Sequence, residues 1–190
     1  LRVAGLCLVA ADTELGQDHV LGAFVVIGHD GDGAPVRIGT AARIRSHSVL
    51  YRGVTAGSNL QTGHGVLIRD ACALGDNVSI GSHSVVEHHV VIEDDVRIHS
   101  SCFVPELSIL RRGSWLGPRV TVTNARYPNR PDTKSQLEGV EVGEGAVIGA
   151  AAVLLPGVKL GARCLVGAGA VVTADVEPGQ VVVGNPARPL

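Results

Sequence analysis

The sequence predicts an all-β chain, a parallel β-helix of about ten triangular coils. Two observations predict it. Aliphatic residues fall every sixth position over long stretches, a period that is neither the 3.6 of a helix nor the 2 of an ordinary strand. A six-residue repeat places one repeat on each face and three faces in each coil of a solenoid. The composition agrees: 25 glycines and 45% hydrophobic residues stand beside only 3% aromatics in 190 residues. Such a chain fills its core with Val, Ile, Leu and Ala and turns at frequent glycines.

Taken in order, Val3, Val9, Leu15, Leu21 and Ile27 open the repeat. Asp30 to Pro35, a Gly/Pro/Asp turn, interrupts it, and Ile38 restarts the count. From 38 to 122 in steps of six, thirteen of fifteen positions are Ile, Leu or Val; Ala56 and Thr62 are the exceptions. Val142, Ile148, Leu154, Leu160, Val166 and Val172 complete the series. The residue four places after an aliphatic is usually small or branched (Val78, Ser84, Val90, Cys102, Ala146) and forms a second inward slot. Eighteen residues then make one coil, and ten coils at about 4.8 Å each make a prism roughly 45–50 Å long. One domain over residues 1–190 is expected. A solenoid leaves flat faces uncovered, and a triangular prism suits a homotrimer.

From Val122 to Val142 the chain takes 20 residues where one repeat takes six, so about 14 leave the coil between 124 and 140. A long loop on a rigid repeat marks a binding site. The tail from Val181 leaves the pattern and is expected to pack back on the last coil. Leu1 to Ala11 reads as the first coil rather than a signal peptide. Cys7, Cys72, Cys102 and Cys164 occupy second inward slots, with no metal-like spacing, and read as buried thiols in a reducing cytoplasm. A net charge of -2 without a basic cluster argues against nucleic acid. No run of 18 apolar residues predicts a membrane span.

Residues 18 apart stack, so one column reads Arg52, Asp70, His88, Glu106, Asn124, ending where the long loop departs. A histidine between two carboxylates can have one ring nitrogen fixed by an acid while the other serves as a base. A second group, His47, His64, His83 and His99, is expected nearby, lining the same crevice in a trimer. His47, His83 and His88 also leave open a zinc site built between subunits.

Over nearly its whole length the chain resembles the left-handed β-helix acyltransferases of the hexapeptide-repeat superfamily, and in particular bacterial enzymes that acylate amino sugars on nucleotide carriers. Ser84-Val-Val-Glu-His-His-Val-Val-Ile92 is similar to their Val-Ile-Glu-His segment, which implies that His88 is the base; the next position, acidic in some members, is His89 here. Val122-Thr-Asn-Ala-Arg-Tyr-Pro128 resembles the segment that opens their protruding loop and makes Asn124, Arg126 and Tyr127 candidates for substrate contact, with His89, His64 and His83. Val183-Gly-Asn-Pro-Ala-Arg188 is similar to the usual ending of the superfamily, whereas Ala174 stands where relatives often carry Lys.

The resemblance implies acetyl-CoA or another acyl-CoA as cosubstrate, no metal, and a nucleotide-linked amino sugar as acceptor. His88 would take the amine proton, oriented by Asp70 or Glu106, and a backbone N–H near Glu106 would face the oxyanion. Small residues at Gly149, Ala150, Gly167 and Ala168 suit a pantetheine arm, with Lys159 and Arg163 toward its phosphates; the turn requirement of the repeat explains the same glycines. Two other readings stay open, a zinc protein like the γ-class carbonic anhydrases and a non-catalytic assembly module.

Overall fold

The structure, a computed structural model, describes residues 5–30 and 33–190. Val3 with the start of the first predicted coil (1–4), and Gly31 and Asp32 of the first interruption, lie outside the described residues. The chain is a left-handed parallel β-helix. Three sheets of nine, eight and ten short strands among the described residues form faces A, B and C.

One coil shows how the repeat builds it. Leu67–Ile68 lies on face A, Ala73–Leu74 on face B and Ser79–Ile80 on face C, and Val85–Val86 then stacks on Leu67–Ile68 in register. The step from Leu67 to Val85 is the predicted one, three repeats to a coil. The second residue of each two-residue strand points inward: Ile68, Leu74 and Ile80 are buried, as are Cys72, Val78 and Ser84 in the second slot. The six-residue period is therefore the alternation of a strand, cut by a turn before it can repeat.

Each turn needs a residue in the left-handed region. Without a break from Ala41 to Arg119, every sixth residue has a φ between about 55° and 74°. Glycine fits there freely, and Asn, Asp and His are the side chains best tolerated otherwise. His47, His83 and His89 occupy such slots, so turn geometry alone accounts for a histidine at those places.

Both interruptions leave the same edge, between faces A and B. The first runs from Val26–His29 on face A to Arg37–Ile38 on face B, and the second from Thr121–Val122 to Glu141–Val142. Thr121 pairs with Val153, well beyond the reach of one ordinary coil, and the excess is the excursion that the spacing predicts. The Glu138 N–H donates to the Asn124 carbonyl at 2.9 Å and closes the base of the long loop. The tail departs from expectation in one respect. Val181–Val183 still stacks in parallel on Leu165–Val166, and only Arg188–Pro189 turns back, antiparallel to Val182 and Val183. The core thiols are as expected at Cys72, Cys102 and Cys164, while Cys7 in the first coil is half-buried; all four are unbridged.

Candidate active site

The A–B edge carries the polar column. Between the bases of the two excursions it presents Arg52, Asp70, His88 and Glu106 in successive coils, then Asn124 where the long loop begins. The coil spacing puts those bases roughly 24 Å apart, five coils at about 4.8 Å each. Arg52 binds the Asp12 carboxylate at 2.6 Å and the Gly33 carbonyl at 2.8 Å, and so ties the short loop to the edge. Asn124 donates to the Glu106 carbonyl at 3.4 Å.

His88 is the centre of the column. Its Nε2 lies 2.9 Å from Glu106 Oε2, and both side chains are less than one-third exposed. Its Nδ1 lies 2.9 Å from Nδ1 of His89, with the two rings edge to face at 87°. Of the two carboxylates expected to orient His88, Glu106 is the one in hydrogen-bond contact with it. Asp70 stays within 4.8 Å of both rings, and its ion pair is with Arg69, at 3.6 Å. The His88–His89 hydrogen bond is the feature that the column reasoning missed. Residues 18 apart stack, but neighbours in sequence at a turn also meet.

The backbone ladder lapses beside this group. From Ala41 to Gly169 the N–H of each left-handed turn residue donates to a carbonyl of the preceding coil, as in His89 to Asp70 and Ala71 to Arg52. Leu107 alone among the described residues does not. Its φ is 67°, a costly conformation for leucine by about 1–2 kcal/mol. Pro105 sits two residues before it without an amide to give, and Gly139 of the returning loop packs on its carbonyl.

The other predicted residues fall elsewhere. Arg126 reaches the Pro156 carbonyl at 3.2 Å and exposed Tyr127 lies under Arg130, so both fold onto the loop and the coil beyond it rather than onto His88. His47, His64, His83 and His99 lie on the C–A edge, across face A from His88. In one chain His47 and His83 therefore do not join His88. Among the described residues the group with metal-ligand proximity is Asp70, His88 and His89.

The set expected to hold the acyl carrier is also divided. Gly149, Ala150, Gly167 and Ala168 lie on the C–A edge, Lys159 on face B and Arg163 on the B–C edge, so a single chain does not form one wall from them. A Cβ at Gly149 would stand 2.4 Å from the Ala168 nitrogen. Close stacking of coils therefore requires that glycine. The sequence reading did not single out a groove of about 270 Å³ along face C and the C–A edge, lined by Arg45, His64, Arg97 and His99 with no carboxylate. Burial first, and then the charge of Arg97, hold the His99 imidazole below its usual pKa.

Residues 71–106 and 139–174 match the family model described as bacterial transferase hexapeptide (six repeats), and the unmatched stretch between them holds the long loop. Among solved structures, the chain is similar to UDP-N-acetylglucosamine acyltransferase from Campylobacter jejuni, at 18% identity over 97% of this chain and 72% of that one, with a TM-score of 0.67. It is also similar to the acetyltransferase domain of PglB from Neisseria gonorrhoeae FA1090, at 17% identity over 92% of this chain and 99% of that one, with a TM-score of 0.53. A structure of that domain in complex with acetyl coenzyme A matches at 22% identity over 84% of this chain, with a TM-score of 0.49; the chain spans 60% of its length. No curated protein matches in sequence. The first two of these structural likenesses establish the fold.

Proposed function

We propose that this chain is an acyl-coenzyme A dependent acyltransferase that N-acetylates an amino sugar on a nucleotide carrier. The observation that carries the reading is the His88 ring, hydrogen-bonded to Glu106 at 2.9 Å at the foot of the long loop. A half-buried imidazole backed by a carboxylate is suited to accept a proton from an attacking amine. The unpaired Leu107 amide, one coil beyond His88, is placed to meet the oxyanion of a tetrahedral intermediate. Direct transfer needs no protein nucleophile. The transferase description of the matched repeats and the acyltransferase names of the two similar folds support this class.

Face A supports a homotrimer. Its outward row is aliphatic or aromatic in nearly every coil, as in Val26, Val49, Leu67, Val85 and Phe103, with Thr121 the exception. The same row of face C is polar at Arg43, Gln61, Ser79 and Arg97 and apolar at Val20, Trp115, Val147, Leu165 and Val181. The His88 and His64–His83 edges are the two borders of face A. A neighbouring subunit seated on that face would close both, and would bring the face C groove toward donor or carrier phosphates.

Thermal unfolding with acetyl-CoA, coenzyme A and a chelator, each added alone, tests the class. Stabilisation should rise with coenzyme concentration, by about 2.7 kcal/mol at a hundred times Kd, and the chelator should have no effect. Acetyl transfer to a panel of nucleotide-linked amino sugars should fall about 10²–10⁴-fold in His88→Ala. Destabilisation by the chelator without any coenzyme effect would replace this reading with the zinc one.

A further inference from the structure

We propose that His88 and His89 act as one proton relay, and that the atom receiving the substrate proton is Nε2 of His89. The inference rests on the transferase reading for its substrate, and on geometry for the relay itself. An ionised Glu106 carboxylate only accepts hydrogen bonds, so the 2.9 Å contact to His88 Nε2 requires a proton on that nitrogen. In neutral His88 the Nδ1 then carries the lone pair. The 2.9 Å contact between the two Nδ1 atoms needs one donor, which must be His89. His89 is thereby held with its proton on Nδ1 and its Nε2 lone pair unused. Both nitrogens of His88 are occupied inside the site, and the outer, exposed ring is the one with a basic nitrogen to offer.

The chemistry balances. The amine nitrogen bonds to the thioester carbonyl carbon, and its proton passes to His89 Nε2. His89 gives its Nδ1 proton to His88 Nδ1, which leaves His89 neutral in its other tautomer. His88 becomes an imidazolium held against Glu106, with the Asp70 carboxylate nearby and Arg69 paired to Asp70 and Glu87. When the carbon–sulfur bond breaks, the proton returns by the same path to the leaving thiolate. The net products are amide and thiol. The turn makes the arrangement possible: the left-handed slot of His89, with φ 57°, folds its ring back on the residue before it.

Two measurements test it. In the full-length protein with ring-¹⁵N histidine, and peaks assigned from single His→Gln variants, neutral His88 should be the Nε2–H tautomer and neutral His89 the Nδ1–H tautomer. His88 protonated at Nδ1, or His89 protonated at Nε2, would overturn the relay whatever the protein catalyses. In acetyl transfer, His89→Gly should lose at least about 10²-fold in kcat with little change in KM, and added imidazole should restore part of it. Glycine suits a left-handed slot, so this variant keeps its turn. The double variant His88→Ala/His89→Gly should be no slower than the slower single one, because the pair works as a unit. Wild-type kcat in His89→Gly would assign the proton to His88 alone. If the wild type transfers no acyl group, the transferase reading fails, and the tautomers still decide the relay.

Discussion

Glu106 Oε2 stands 2.9 Å from His88 Nε2 because the two residues are 18 apart, one full coil of the prism. The carboxylate is thus fixed by the backbone ladder rather than by a mobile loop, an arrangement that orients an imidazole at little entropic cost. Glu106→Gln keeps an acceptor but removes the charge that supports an imidazolium. On the transferase reading it should lower kcat by about 10- to 10²-fold, less than the 10²–10⁴-fold typical of losing a general base as in His88→Ala. Steady-state kinetics with KM held near wild type would support an electrostatic role. An unchanged kcat would remove Glu106 from the mechanism.

Leu107 combines a left-handed backbone with an amide outside the ladder. Hydrogen exchange should show the Leu107 amide unprotected while those of Ala71 and His89, at the same place in earlier coils, are protected. Asparagine tolerates the left-handed region better than leucine. Leu107→Asn should therefore raise stability by about 1 kcal/mol, or about 2–4 °C in Tm for a chain of this size. Equal protection of the three amides would mean that no donor is available for the oxyanion.

Most of the fold was legible because a solenoid turns sequence spacing directly into geometry. The stacking offset, the inward residues and the length of the long loop all follow from counting. The same counting found the contact between His88 and Glu106. It failed where contacts depend on side-chain direction at a turn, as in the bond between His88 and His89. It also failed across edges. Lys159, Arg163 and Gly149 are near one another in sequence, yet each coil sends them to a different side of the prism. Positions 18 apart share a face or edge and differ only in height, whereas the histidines at 83 and 88 lie on different edges.

Thr62 breaks the aliphatic series for a local reason. Its buried hydroxyl accepts the Arg45 amide at 3.0 Å and contacts Ser48 Oγ at 3.3 Å, while the Arg45 guanidinium takes the Thr62 carbonyl at 2.6 Å. The repeat alone would favour valine there. Thr62→Val should instead cost about 0.5–1.5 kcal/mol, since it removes the acceptor of the partly buried Arg45 amide. Urea unfolding measures this, and a gain in stability would show that the hydroxyl contributes little.

Face A offers a test of assembly. Val85 points outward in the middle of its aliphatic row, on the coil that carries His88. Val85→Asp should leave the core intact and yield a monomer in analytical ultracentrifugation, whereas Ser79→Asp on face C should keep the trimer. A monomeric wild type would sink the assembly proposed here.

On the edge between faces B and C, Arg111 donates to Glu93 at 2.8 Å and also pairs with Glu141 at 2.7 Å, while the Arg112 amide donates to the second Glu93 oxygen at 2.9 Å. The Arg111 hydrogen bond, followed by that amide, holds the Glu93 carboxyl below the usual carboxylate range. A lowered pKa means that the folded state binds fewer protons than the unfolded one. The stabilisation is therefore fully present above the unfolded value of about 4.3 and drains as pH falls through the lower, folded value. The group is partly exposed, so the effect is small and weaker in high salt. Arg111→Gln should be less stable than wild type at pH 7 and should lose less stability on acidification, because its Glu93 carboxyl has a smaller shift to give up. The two curves should converge once the Glu93 carboxyl is protonated in both. Urea midpoints measured between pH 7 and pH 3 would show this, and parallel curves over that range would mean that the Arg111–Glu93 pair is not linked to folding.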